Sequence, residues 1–159
     1  YAGAKDLLEK IFDGREASVA TNLGYIYGRS GSREFDPDKA ISYYKVAAEQ
    51  GSVYAQHALG GLFRERGQLE DAIHWYGLAS QAGSATCSYN LFKLLLKLGE
   101  TDKARDAFNL ALSQGDPIAA QTYAIECILG RHGLHRLPSG LIRYFRNIPN
   151  LVRFRRENS

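Results

Sequence analysis

The sequence predicts an all-α protein, an α-solenoid built of stacked antiparallel helix pairs. Three observations predict it. A pattern of small and aromatic residues recurs at a step of 32 residues. Within each copy the apolar positions are spaced by three and four, which is one stripe of a helix and not the alternation of a strand. Each copy ends in Gly followed by Ser or Asp, a helix stop and a helix start in succession. A lone helix pair cannot enclose its own apolar face, so the core must come from stacking one pair on the next.

The repeat is clearest in the second helix of each pair. Ala40, Tyr44, Ala47 and Gly51 are matched by Ala72, Tyr76, Ala79 and Gly83, and then by Ala104, Phe108, Ala111 and Gly115. In the first helices, Leu23-Gly24, Leu59-Gly60 and Leu91-Phe92 occupy one place, with Tyr27, Phe63 and Leu95 four residues further on the same face. Small residues at Gly24 with Ala40, and at Gly60 with Ala72, let paired helices approach closely. The Leu-to-Ala distance is 17 residues from Leu23 to Ala40 but 13 in the next two units, so the first unit carries a four-residue insertion. It falls between Gly28 and Pro37, where Gly, Ser and Asp-Pro read as loop and extra residues cost little.

Taken in order, helices are expected near residues 2–13, 17–28, 37–50, 53–66, 69–82, 85–98, 101–114 and 117–129. Asp36-Pro37 and Asp116-Pro117 each join an N-cap to a first-turn proline. Thr101 opens a helix after Gly99, and Ser52 and Ser84 are placed to cap the helices behind Gly51 and Gly83.

Composition sets the outer bounds. At 159 residues and 45% apolar, the chain fits one domain with a real core. No apolar run approaches the roughly 18–20 residues of a membrane span, and no stretch near residue 1 has the layout of a signal peptide. The chain has no Met, so residue 1 is not expected to be a translation start and the sequence reads as a piece of a longer protein. The formal charge is +3, but unevenly spread: residues 1–129 hold 13 basic and 16 acidic side chains, and residues 130–159 hold seven Arg and one Glu.

The joint motifs resemble the tetratricopeptide (TPR) superfamily, and most closely its Sel1-like branch. Residues 20–51 carry the Sel1-like order almost whole: Leu23-Gly24, Tyr27, Lys39-Ala40, Tyr43-Tyr44 and Ala47-Ala48-Glu49-Gln50-Gly51. Residues 55–83 repeat it with Ala55, Leu59-Gly60, Gly67, Asp71-Ala72, Trp75-Tyr76 and Gly83. The third unit departs, with Phe92 in place of Gly and Ala107-Phe108 in place of the aromatic pair. The 13-residue spacing of the second and third units is itself TPR-like. The resemblance covers about residues 3–129 and implies a right-handed superhelix with Tyr43, Tyr44, Trp75 and Tyr76 in packing slots.

It also implies where a partner binds, since in such solenoids the first helix of each pair lines the concave side. Carried over position by position, the strip is Thr21, Asn22, Tyr25 and Arg29, then Tyr54, His57, Arg64 and Glu65, then Tyr89, Asn90, Lys93 and Lys97, with Gln121 and Thr122 in the last helix. Some TPR domains hold a peptide's terminal carboxylate with Lys and Asn at similar positions, and amide and cationic donors suit carboxylate oxygens. A merely solvated face would also be polar. Tyr25, Tyr54 and Tyr89 distinguish the two, because exposed aromatics favour a binding surface.

After residue 129 the repeat fails, with Pro138 where a second helix would be in mid-run. Leu141, Phe145, Ile148 and Val152 share one face of the segment and Arg143, Arg146 and Arg153 another, with Arg155 and Arg156 beyond. The expected role of residues 130–159 is a cap over the last helix. The alternative is a surface for an anionic membrane or a partner, making the chain a membrane-peripheral assembly or regulatory factor. Nucleic acid is not expected, because the body is net acidic and no binding motif for it is present.

The chemistry is sparse: the sequence has no phosphate loop, GxSxG, HExxH or CxxC. His132 and His135 sit in a Gly-flanked turn and do not supply the three or four ligands zinc needs. His74 is expected to face solvent, and His57 to be a groove contact and not a base. In repeat register Cys87 and Cys127 are offset by about 12 Å, beyond the Cα separation of about 7 Å that a disulfide tolerates, so both are expected as free thiols. The disulfide per repeat that some secreted Sel1-like proteins carry is missing, which fits a reducing compartment such as the cytoplasm and is compatible with the periplasm. The expected function is a non-catalytic protein-protein interaction scaffold or adaptor for a protein or peptide partner, without metal or cofactor.

Overall fold

The structure, a computed structural model, describes residues 2–128. The basic segment, with Arg143, Arg146, Arg153, Arg155 and Arg156 and the cap or lipid roles expected of it, lies outside the described residues, as do His132 and His135. The described residues form eight α-helices: α1 (Ala2–Ile11), α2 (Ala17–Gly28), α3 (Pro37–Glu49), α4 (Val53–Glu65), α5 (Leu69–Gln81), α6 (Ala85–Lys97), α7 (Thr101–Ser113) and α8 (Pro117–Ile128). Each ends within two residues of its expected bounds. The fold is the predicted α-solenoid of stacked helix pairs. The chain divides into two units, Tyr1–Gln114 and Gly115–Ser159, so α8 stands with the second although the repeat pattern runs on to residue 129.

The helix limits come from backbone hydrogen bonding. At the end of α3, Gly51 takes φ +87°, a conformation costly for any residue with a Cβ. Its N–H donates to the Ala48 carbonyl at 3.0 Å, and that of Ser52 donates to Ala47 at 3.0 Å. This is the Schellman arrangement, which satisfies carbonyls the helix leaves open. The same pair of bonds recurs at Gly67-Gln68, Gly83-Ser84 and Gly99-Glu100. Ser52 then caps α4 by accepting from Ala55 N (3.3 Å), and Ser84 caps α6 by accepting from Cys87 N (3.4 Å). The inserted loop closes when Asp36 N–H donates to the Tyr27 carbonyl at 2.9 Å, and the Asp36 carboxylate caps α3. In the second unit, Asp116 is buried and caps α8 through Ile118 N (3.0 Å) and Ala119 N (2.8 Å).

Within the first unit α2 packs on α3, α4 on α5 and α6 on α7, and α3–α4 and α5–α6 contacts join the pairs. The closest approaches lie under the glycines. A Cβ built on Gly24 would stand 2.6 Å from the ring of Tyr44, and one on Gly60 would stand 2.6 Å from the ring of Tyr76. Both rings are buried, Tyr76 to 1% exposure. Tyr43 and Trp75 are half-buried and pack against the outside of this core. In the third pair Phe92 fills the glycine's place and meets Phe108, with ring centroids 4.8 Å apart. A second, smaller cluster of Leu95, Ala104 and Ala107 forms there, and Ile73 and Leu91 touch both clusters. Helix α1 docks through Phe12, edge-on to Tyr43, and through Glu9, which accepts the Tyr27 hydroxyl proton.

Several buried polar groups find partners across the repeats. The Gln56 amide donates to the Ala48 carbonyl at 3.2 Å. One repeat later, Ser80 occupies the place of Ala48 and Ser88 that of Gln56, too short to make the same reach. Gln114, at the end of α7, supplies the amide instead: it donates to the Ser80 carbonyl at 2.9 Å and accepts from the Ser88 hydroxyl at 2.5 Å. The two serine hydroxyls lie 2.6 Å apart. Cys87 is a buried free thiol whose pKa is pushed up by burial, as a packing residue requires. The side chain of Cys127 lies outside the described residues.

Substituting two helical glycines separates packing from helix propensity. Gly77 has open space where its Cβ would go, whereas Gly60 has the Tyr76 ring. Both changes to Ala gain the same propensity, so Gly60→Ala should be about 1–3 kcal/mol less stable than Gly77→Ala. Urea or thermal unfolding of the two variants measures that gap.

Candidate functional site: the first-helix strip

Most of the residues expected to bind a partner fall on α2, α4 and α6, with Arg29 just beyond α2 and Gln121 and Thr122 on α8, and four of them converge. Arg64 comes from the last turn of α4, and Asn90, Lys93 and Lys97 lie one above the other along α6 at helical spacing. They line one groove of about 320 Å³ whose apolar walls are Leu69 and Leu94. Arg64 has a carboxylate neighbour in Glu65, loosely placed at 3.9 Å. Lys93 lies 5.1 Å from the centre of the Tyr89 ring, a cation–π contact. Among the described residues, neither Lys93 nor Lys97 has a carboxylate within ion-pair distance.

His57 sits between this groove and the core. Its ring is half-buried and tilts against Tyr76 at a centroid distance of 5.9 Å. Its Nε2 stands 3.5 Å from the Asn90 amide nitrogen, which as donor requires an unprotonated Nε2. Burial, and secondarily the charge of Arg64, hold the His57 pKa below its ordinary value. The sequence placed His57 as a direct groove contact. The structure shows instead a half-buried ring that orients Asn90, because the face of α4 bearing it turns towards α6.

The tyrosines divide. Tyr25 and Tyr54 are each 51% exposed, as expected. Tyr89 is not an exposed tyrosine: it is half-buried, tilted against Phe92 at 5.6 Å and covered by Lys93. The cause is Phe92, which fills the place of the repeat glycine and supplies a ring for Tyr89 to rest on. Asn22 and Arg29 are exposed on and just beyond α2, away from the groove-lining set. Thr21 is turned inward, its hydroxyl donating to the Ala17 carbonyl at 2.7 Å. His74 is exposed on α5, as expected, with its ring edge-on to Trp75. In the second unit Gln121 is exposed and Thr122 half-buried. Among the described residues no cluster of His, Cys, Asp and Glu could hold a metal ion, and no helix is long and apolar enough to cross a membrane.

The Sel1 repeat family matches residues 17–52 and 53–84, which are the α2–α3 and α4–α5 pairs. Over those two stretches the chain is similar to the Sel1 repeat. The α6–α7 pair, with Phe92 and Phe108 at the joint, lies outside that match. No curated protein matches the chain. Among solved structures, the chain is 27% identical to c5321, a protective antigen present in uropathogenic Escherichia coli strains that displays an SLR fold, with a TM-score of 0.66. That likeness covers 79% of this chain and 29% of the antigen. A Sel1 repeat protein from Oxalobacter formigenes is 23% identical with a TM-score of 0.67, over 81% of this chain and 56% of that one. MamA is 22% identical with a TM-score of 0.63, over 91% and 84% respectively. The chain thus spans under two thirds of the length of the first two. Sel1-repeat proteins generally mediate protein–protein interactions, and the fold is typically a non-catalytic scaffold.

The His57 environment predicts a pH dependence. The folded chain binds a proton at His57 more weakly than the unfolded chain, whose histidine titrates near 6.5. Protonation therefore favours unfolding. The contribution of His57 is fully present above pH 6.5 and is lost as pH falls from 6.5 through the lower folded-state value. Melting temperatures of wild type and His57→Gln, compared from neutral to mildly acid pH, should converge as pH drops. A gap that stays constant would contradict this assignment.

Proposed function

We propose that this chain is a non-catalytic protein-binding module whose partner lies along the first-helix strip of α2, α4 and α6. The observation that supports it most directly is the grouping of Arg64, Asn90, Lys93 and Lys97 around one groove. Lys93 and Lys97, which among the described residues have no carboxylate partner, gain by meeting complementary charge, which steers and orients a partner. Tyr25 and Tyr54 extend the strip with half-exposed rings. Such rings offer large contact area for a small loss of side-chain freedom. The helix pairs supply the rigid support: α2 and α4 are held against their partners by the buried Gly–Tyr contacts and α6 by the Phe92–Phe108 contact, so their outer faces are presented in a set geometry.

The reading is tested with peptide ligands selected on the wild-type protein from an unbiased display library. Tyr25→Ser with Tyr54→Ser, and separately Arg64→Glu, should weaken the selected ligands by about ten-fold or more. His74→Ala on α5 should leave them unchanged, Arg64→Glu and His74→Ala should keep the wild-type melting temperature, and circular dichroism should show the tyrosine pair variant folded, since Tyr54 packs on the buried Tyr44. Ligands that survive the first-helix changes and are lost with His74→Ala would place the binding surface on the second helices instead.

A further inference from the structure

We infer that the groove lined by Arg64, Asn90, Lys93 and Lys97 takes an extended acidic peptide segment, reading Asp or Glu side chains two residues apart. This deepens the proposed function and rests on its placing the partner on the first-helix strip. The spacing of the cations supports it. Lys93 and Lys97 are four residues apart on one helix face, a rise of about 6 Å. Side chains at alternate positions of an extended chain recur on one face about every 6.4–6.8 Å. Two carboxylates of such a segment therefore come into register with two ammonium groups, each from a neighbouring helical turn.

Charge supports it as well. The groove is a local exception: residues 1–129 carry 13 basic against 16 acidic side chains, yet three cations line this one groove. The carboxylate beside them, Glu65, is 70% exposed and 3.9 Å from Arg64, a pair too loose to neutralise the site. Asn90 has two amide protons, and its contact with His57 engages one, leaving a donor for the segment. Leu69 and Leu94 offer an apolar wall for side-chain stems. A volume of about 320 Å³ admits the side chains of a short segment.

The test is a titration of the full chain with peptides acetylated and amidated at their ends, so that only side chains carry charge. One has Glu at alternate positions, one has Gln in their place, and a third is neutral in its side chains with a free terminal carboxylate. At low ionic strength the alternate-Glu peptide should bind, and the Gln peptide should not. Lys93→Ala and Lys97→Ala should each weaken binding by roughly 3- to 10-fold, with unchanged melting temperature, and added salt should weaken it further. Binding that follows the free terminal carboxylate, that is indifferent to Lys97→Ala, or that inorganic phosphate displaces as readily as peptide does would overturn the inference. Failure of acidic peptides while library ligands still depend on Tyr25 and Tyr54 would sink this inference alone. Library ligands that ignore the first-helix strip would sink the proposed function with it.

Discussion

Two rings pressed against two glycines set the spacing of the first unit. Tyr44 and Tyr76 lie flat on the helix backbone at Gly24 and Gly60, at a distance no Cβ could share. Interior packing leaves no slack to absorb a misfit there. The depth at which each ring seats fixes the separation within a helix pair, and through Ala40, Ala72 and the leucines beside them it fixes how the next pair stacks. The turns serve the same geometry: the Schellman bonds at Gly51, Gly67, Gly83 and Gly99 stop α3, α4, α5 and α6 at the length the stack requires.

In the third pair that constraint is relaxed. With Phe92 in the glycine's place, Phe108 can no longer lie on bare backbone, and the two rings pack against each other instead. Ala107 stands where the second repeat has Trp75, which leaves room for the change. The core divides into two clusters at this joint, bridged by Ile73 and Leu91. Tyr89 is drawn onto Phe92, and Lys93 folds over Tyr89. The groove forms where the α4–α5 pair meets this variant pair, with Arg64 and Leu69 from one side and Asn90, Lys93, Leu94 and Lys97 from the other. Residues that break the repeat pattern are therefore the neighbours of the residues that line the groove.

His57 links the two levels. It rests on Tyr76, the most deeply buried of the core tyrosines, and reaches Asn90 on the groove wall. Burial disfavours the protonated ring, and a neutral ring is the form that can accept from the Asn90 amide. The side chain that orients a groove residue is thus itself positioned by the packing that spaces the helices, a support shell for a site held on rigid elements.

The sequence by itself determined the helices, their order and their packing faces. Caps, left-handed glycines and three-four spacing act within a few residues, so Asp36-Pro37, Ser52, Ser84 and Gly51 declare helix limits without reference to the rest of the chain. The family resemblance, carried over position by position, placed Tyr25, Tyr54, Asn90, Lys93 and Lys97 on the first helices, and Tyr25 and Tyr54 are exposed there. What the tertiary structure decided is which of these residues meet. Arg64 and Lys93 are 29 residues apart, and only the seating of α4 and α6 beside each other brings them to one groove. The same lateral packing turned His57 inward, while Tyr89 is half-buried by Phe92 and Lys93 of its own helix. Periodicity specifies the direction in which a side chain leaves its helix; the distance to the next helix, and so the company it keeps, depends on how rings and glycines interlock between helices.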